Sequence, residues 1–275
     1  MSSANKNLTR EEIFNMENVL KSKFSCQRDG LTIRGYEYRP QGDNLPIAIV
    51  SHGFMANLMT VKHYTQFLAS MGYAAFCFDF NGGCVMMGKS DGKTTDMSVL
   101  TEVKDLLSVI EYAKGLPYTN KNRIMLMGCS QGGFVSALTA AKLGAEVSKL
   151  ILFYPALCIP DDAKSGKMMW AKFDPQSIPE IVKCGPMKLG RCYIADVVNM
   201  NPFDEIKGYE GNVLIVHGTA DKIVHIRYAE QAVETYKSEP YERSVTYHTI
   251  DGGKHMFSKR HDKIALEYLR EFTRT

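Results

Sequence analysis

From residue 47 onward the chain alternates between two rhythms. Apolar runs at 47–51, 74–78, 124–127, 150–154 and 213–216 are continuous rather than alternating, the pattern of parallel strands buried on both faces. Between them, apolar residues recur at helical spacing. Val61, Tyr64, Phe67, Leu68 and Met71 form one stripe, Val99, Val103, Leu106, Leu107, Ile110 and Ala113 a second, and Ala229, Ala232, Val233 and Tyr236 a third. Each predicts a helix covering the sheet. Val245, Tyr247 and Thr249 alternate with polar neighbours as a last strand, and 264–272 supplies a final helix. Ahead of this alternation, 24–27 and 31–38 flank Arg28-Asp29-Gly30, and Asp-Gly between alternating residues marks a hairpin of antiparallel edge strands. The stretch 9–20 carries Ile13, Met16 and Leu20 at helical spacing but is short and polar, and reads equally as a frayed arm.

Together these elements predict an α/β fold, a mostly parallel central sheet with helices on both faces. One segment breaks the rhythm. More than fifty residues separate Pro155 from Asn212, too many for a crossover of short loops and one helix. The chain therefore reads as a single domain, 1–275, with 157–203 inserted as a cap between the sixth and seventh core strands.

Composition narrows the picture by exclusion. A length of 275 residues suits one α/β domain. A net charge of +3, with no Lys/Arg cluster interleaved with aromatics, points to neither nucleic acid nor an anionic membrane. No apolar run approaches the roughly 18 residues needed to cross a bilayer, so a soluble, cytoplasmic chain is expected. The seven cysteines are scattered and odd in number, and the seven histidines show no H-x-x-x-H pairing, so reduced thiols, no catalytic metal and no cofactor are expected. Cys77 and Cys129 read as small core hydrophobes.

The chemistry gathers where the run 124–127 ends in Gly128-Cys129-Ser130-Gln131-Gly132-Gly133. Glycines at 128 and 132 allow strand to turn sharply into helix and hold a serine in a strained, exposed turn, the nucleophile elbow. Ser130 is the candidate nucleophile. Downstream, the run 213–216 leads into His217-Gly218-Thr219-Ala220-Asp221, and Asp251-Gly252-Gly253-Lys254-His255 closes the series. A serine hydroxyl needs a base within reach and a third group to orient that base, roles that His255 and Asp221 can fill. Asp161 and Asp162 are rival acids and His248 a rival base. His52 and His217 read as structural strand-end residues.

The order Ser, Asp, His, with each residue just past the carboxyl end of a strand, identifies the chain as resembling the α/β-hydrolase superfamily. Within it, Asp79-Phe80-Asn81-Gly82-Gly83 through Gly88-Lys89-Ser90-Asp91-Gly92, the elbow Ser130-Gln131-Gly132-Gly133, and Phe173-Asp174-Pro175 through Leu189-Gly190 are similar to bacterial cinnamoyl/feruloyl esterases. The resemblance implies an oxyanion hole from the backbone N–H groups of Phe54, after His52-Gly53, and Gln131, after the nucleophile. It also implies an acyl pocket for a planar aromatic acid, walled by Met168, Met169, Trp170 and Phe173 of the insertion. The loop 81–88 departs from the Gly-His-Gly-x-Ser form expected after this strand, which puts the local pocket shape in doubt. It is no phosphate loop, lacking the Lys-Ser/Thr ending.

The expectation is thus a serine carboxylesterase of small or aromatic acyl esters, with an ester as its small-molecule partner and a homodimer compatible with the sequence. A thioesterase or serine peptidase would share every step through an acyl-serine. A non-catalytic hydrolase-fold binding protein would be free to lose a triad member, whereas all three are present. An Asp-nucleophile dehalogenase or epoxide hydrolase is disfavoured by the serine at the elbow.

Overall fold

The computed structural model of the protein describes residues 18–274, so the stretch 9–17 lies outside the described residues. Its sheet is built from β1 (Leu20–Arg28), β2 (Leu31–Arg39), β3 (Leu45–Ser51), β4 (Ala74–Asp79), β5 (Thr119–Cys129) and β6 (Val147–Phe153). Four short strands follow: β7 (Lys167–Met168), β8 (Ala171–Lys172), β9 (Ile181–Cys184) and β10 (Met187–Gly190). β11 (Asn212–Gly218) and β12 (Val245–Ile250) then complete an eight-stranded sheet in the order β1-β2-β4-β3-β5-β6-β11-β12. All neighbours from β4 to β12 run parallel, while β1 and β2 pair antiparallel with each other and β2 with β4.

The predicted hairpin forms around Asp29 and Gly30, both with φ in the left-handed region, as a two-residue loop between twisted strands requires. One expectation needs correcting. β2 is not an edge strand, because Arg34 to Tyr38 pair with β4, and of the hairpin's two strands β1 alone stands at the end of the sheet. Gly35 permits that junction, since a Cβ there would lie 2.3 Å from the Cys77 carbonyl oxygen.

Strand alternation divides the apolar residues between two faces. Ile47, Ile49, Phe76 and Leu126 pack under α2 (Val99–Lys114), α3 (Gln131–Leu143) and α7 (Arg227–Ser238). Ala48, Val50, Met125 and Met127 pack under α1 (Lys62–Ser70) and α8 (Lys259–Arg274). Burying each of these Ile, Val, Leu, Phe and Met side chains contributes about 1.5–3 kcal/mol. Cys77 and Cys129 belong to the second core, as small hydrophobes.

Between β6 and β11 the chain leaves the sheet as α4 (Ile159–Lys164), the hairpins β7–β8 and β9–β10, α5 (Arg191–Ala195) and α6 (Pro202–Glu205). Three contacts tie this excursion to the start of α2. Ser98, the N-cap of α2, donates its hydroxyl to Asp196 at 2.5 Å, the Cys192 thiol donates to the Thr95 carbonyl at 3.4 Å, and Gly190 lies so close to Thr95 that a Cβ would stand 1.9 Å from its oxygen.

Candidate active site

Ser130 occupies the tip between β5 and α3 with φ 55° and ψ −122°, a conformation that costs a non-glycine residue about 1–3 kcal/mol. Neighbouring backbone over-determines it. The Ser130 amide donates to Phe153, and its carbonyl accepts from Gly133, Phe134 and Ala156. A Cβ at Gly128 would stand 2.1 Å from the Gly132 oxygen, and one at Gly132 would stand 2.3 Å from the His52 oxygen, so the turn closes only with glycine at both places.

His255 reaches this tip from the loop after β12, and Asp221 from the loop after β11. The two loops are joined where Ala220 N–H donates to Gly253 O at 2.9 Å. His255 Nε2 lies 2.9 Å from Ser130 Oγ, and His255 Nδ1 lies 2.7 Å from Asp221 Oδ2. A carboxylate accepts only, so Nδ1 carries the hydrogen and Nε2 is left bare to accept from the serine hydroxyl. Asp221 Oδ1 accepts the Ile223 and Val224 amides at 2.8 and 3.0 Å. Burial alone would raise the Asp221 pKa, but hydrogen bonds from His217, His255 and the Val224 amide outweigh it and hold the carboxyl well below its ordinary value. The sequence thus named the residues that meet.

None of the rivals bonds to Ser130 or His255 among the described residues, although Asp162 borders a small cavity beside the serine. Asp161 accepts from Tyr228 Oη, and His248 stacks face to face on Tyr268 with ring centroids 3.8 Å apart. His52 is buried, with Nδ1 donating to Gly53 O and Nε2 accepting the Phe80 amide, and burial lowers its pKa. Its donor atom lies within 4.8 Å of those of Asp79 and Cys84. The Asp79 oxygens already accept the Leu58 and Lys89 amides, so the cluster serves to fix the loops around Gly53 and 81–88. Those loops are also bridged between Met55 and Cys84.

Phe54 and Gln131 flank Ser130, and among the described residues neither of their amide groups donates to a protein acceptor. Two cavities meet at the serine. The larger, about 300 Å³, is lined by His255, Tyr154 and Phe257 and runs out to His63, Tyr64 and Asp262. The smaller, about 50 Å³, lies among Gln131, Cys158, Asp162, Met168 and Tyr193. Phe54, Ser130, Met169 and Ile223 border both.

Of the four residues expected to wall an acyl pocket, Met168 and Met169 do line these cavities, and Trp170 and Phe173 do not. Met169 and Trp170 are the two turn residues of the β7–β8 hairpin. Met169 faces the serine, while Trp170, 65% exposed, lies against Gly185 on the other side. Phe173 packs half-buried against the main core.

Sequence reasoning missed three contributors. His217 Nε2 lies 3.0 Å from the Val224 carbonyl and 3.3 Å from Asp221 Oδ2, a fourth donor to that carboxylate, and its i,i+4 spacing from Asp221 was the available signal. The Tyr154 ring packs edge-on against His255 at 4.8 Å. Tyr193 touches both Phe54 and Gln131, for which the sequence held no signal. All seven thiols are free, and burial pushes every one above its ordinary pKa, Cys129 beside the serine to about 12.

The fold and sequence resemble those of known proteins. The solved structure of Est1E from Butyrivibrio proteoclasticus with ferulic acid bound aligns at a TM-score of 0.82 and 28% identity, covering 91% of this chain and 97% of that one. Among curated relatives, the quorum-quenching protein AidA of Acinetobacter baumannii is 26% identical over 142 residues, 49% of this chain and 45% of the relative. The monoglyceride lipase of Rattus norvegicus is 29% identical over 185 residues, 66% of this chain and 55% of the relative. The chain thus spans about half the length of the curated relatives it matches. The family model described as serine aminopeptidase, S33, matches residues 43–189, just over half of the sequence, and the chain belongs to that family of α/β-hydrolases.

Proposed function

We propose that the protein is a serine carboxylesterase in which Ser130, His255 and Asp221 act as the catalytic triad on an ester of the cinnamoyl/feruloyl type. The observation that carries this reading is the unbroken chain Ser130 Oγ, His255 Nε2, His255 Nδ1, Asp221 Oδ2, with contacts of 2.9 and 2.7 Å. Ser130 Oγ attacks the ester carbonyl as His255 takes its proton, and Asp221 stabilises the imidazolium. The carbonyl oxygen becomes an oxyanion held by the N–H groups of Phe54 and Gln131, each worth about 3–4 kcal/mol in comparable sites. His255 opens onto the larger cavity, so the departing alcohol receives its proton there. Water then repeats the sequence on the acyl-serine and releases the acid.

The segment 157–203 acts as the cap, bringing Met168 and Met169 over the serine. An aromatic acid is supported by the apolar border of Phe54, Met169 and Ile223 and by the ferulic acid bound to Est1E, whose fold this chain resembles.

A fluorophosphonate should label Ser130 in the native protein and fail on Ser130→Ala, whose kcat should fall by roughly 10⁵–10⁶ with the fold intact. Aryl esters, acetates, thioesters and aminoacyl anilides compared on one preparation then separate the classes. Labelling that persists in Ser130→Ala or maps to Cys129 sinks the mechanism, and faster cleavage of the anilides than of the esters sinks the esterase reading.

A further inference from the structure

Among the buried acids that the mechanism does not use, Glu102 stands apart. Glu102, in the first turn of α2, is 1% exposed, and no cation pairs with it among the described residues. Burial pushes its carboxyl well above the ordinary range. It nevertheless has a partner. Gln131 Nε2 donates to Glu102 Oε2 at 2.7 Å, and Gln131 Oε1 accepts from Tyr193 Oη at 2.5 Å. The side-chain amide of Gln131 is thereby held at both ends, and all three residues are buried. The Tyr193 ring also packs on Phe54, with centroids 5.5 Å apart and planes inclined by 46°.

Tyr193 therefore touches both residues whose amides form the proposed oxyanion hole, one through its hydroxyl and one through its ring. It comes from α5, in the inserted segment, and α5 is pinned to the start of α2 by the Ser98–Asp196, Cys192–Thr95 and Gly190–Thr95 contacts. Glu102 lies one turn into that same helix. A closed circuit results: insertion to Gln131, Gln131 to Glu102, and α2 back to the insertion. The Gln131 N–H shares a planar peptide unit with the Ser130 carbonyl, which the Gly133, Phe134 and Ala156 amides hold, and the two bonds of the Gln131 side chain brace the same residue from the other side.

We propose that Tyr193 is a positioning residue for the oxyanion hole, bracing Gln131 through its hydroxyl and Phe54 through its ring, with Glu102 as the anchor at the far end of the Gln131 side chain. This rests on the hydrolytic reading above. Its consequence is that the inserted segment does more than cover the serine, since it supplies a strut for transition-state stabilisation. An oxyanion exists only in the transition state and the tetrahedral intermediates, so disturbing this strut should lower kcat and spare KM.

Tyr193→Phe removes the hydroxyl and keeps the ring against Phe54. It should reduce kcat by roughly ten- to thirtyfold, less than the 10²–10³ that follows outright loss of a donor, with KM within about twofold. Affinity for a trifluoromethyl ketone that mimics the tetrahedral intermediate should fall by the same factor as kcat. Gln131→Met keeps the backbone N–H but cuts both side-chain bonds, and adding Tyr193→Phe to it should cost little more, because one chain is broken only once. Glu102→Gln retains an acceptor for Gln131 and should restore the activity that Glu102→Leu loses.

Three results would overturn the proposal: an unchanged kcat in Tyr193→Phe, a loss confined to KM, or additive losses in the double variant. A native protein that fails to label with fluorophosphonate would instead sink the hydrolytic reading itself. Normal labelling of the native protein together with an unchanged Tyr193→Phe would sink the strut alone.

Discussion

Replacing Asp221 by Asn tests the site most sharply, because the surrounding backbone dictates which way the amide must face. Oδ1 accepts two backbone N–H groups, from Ile223 and Val224, while Oδ2 faces His255 Nδ1 and His217 Nε2. With the Asn carbonyl kept on the two amides, its NH₂ group points at His255. The flipped amide would set NH₂ against two N–H donors and leave both unpaired, at a cost of about 1–3 kcal/mol each. A difference of about 2–6 kcal/mol keeps nearly every molecule in the first orientation. There the NH₂ must donate to His255 Nδ1, which moves the ring hydrogen to Nε2 and leaves Ser130 facing a donor. A loss of about 10⁴ in kcat is expected, as in the serine proteases where the same exchange traps the wrong tautomer. Aryl ester hydrolysis and the rate of fluorophosphonate labelling should fall together, since both need the serine proton removed. Asp161→Asn should stay within about twofold of the native protein, its partner being Tyr228. A loss below a hundredfold in Asp221→Asn would show that the amides do not fix the tautomer, and the reasoning would fail.

Other expectations follow from single contacts. Gly128→Ala drives a Cβ to 2.1 Å from the Gly132 oxygen, and should cost about 3 kcal/mol in denaturant unfolding and slow labelling of Ser130; an unchanged midpoint would refute the tight elbow. Glu102 titrates near 4.5 when unfolded and well above that when folded, so above pH 4.5 the unfolded chain releases a proton that the native one keeps. Native stability therefore falls by about 1.4 kcal/mol per pH unit as pH rises toward the folded value, and Glu102→Gln removes that slope. Unfolding at pH 5 and pH 7.5 should show the variant gaining on the native protein, and a constant gap would mean that Glu102 is ionised in both states. Met169→Ala should change KM for aryl esters by about fivefold while Trp170→Ala stays within twofold, because only Met169 borders the cavities; equal effects would mean that the hairpin moves as a unit.

What could be read from sequence was whatever depends on period and order along the chain. The runs around Ile47, Ala74, Ile124, Leu150 and Val213 became the parallel strands because continuous apolar residues are tolerated only where both faces are covered. Ser130 and Asp221 were legible because each follows such a run, and His255 because it follows the alternating last strand and completes the order Ser, Asp, His. Contacts between distant segments left no comparable trace. That β2 would be paired on both sides depended on Gly35 meeting Cys77, and that Trp170 would turn away from the serine depended on a two-residue turn whose members point in opposite directions. The Tyr193–Gln131–Glu102 chain joins positions 62 and 29 residues apart, with nothing local to betray it.

The sulfur chemistry of the chain has a practical side. Electrophiles and peroxides attack thiolates far faster than thiols, and every cysteine here is biased toward the thiol form by burial. Cys129 sits next to the serine in sequence, yet it is held at about 12 and faces the core beneath α1 and α8. Iodoacetamide and hydrogen peroxide should therefore leave hydrolysis intact at doses that silence a thiol-dependent hydrolase. A protein so arranged can meet oxidants or quinones without its thiols becoming the point of failure.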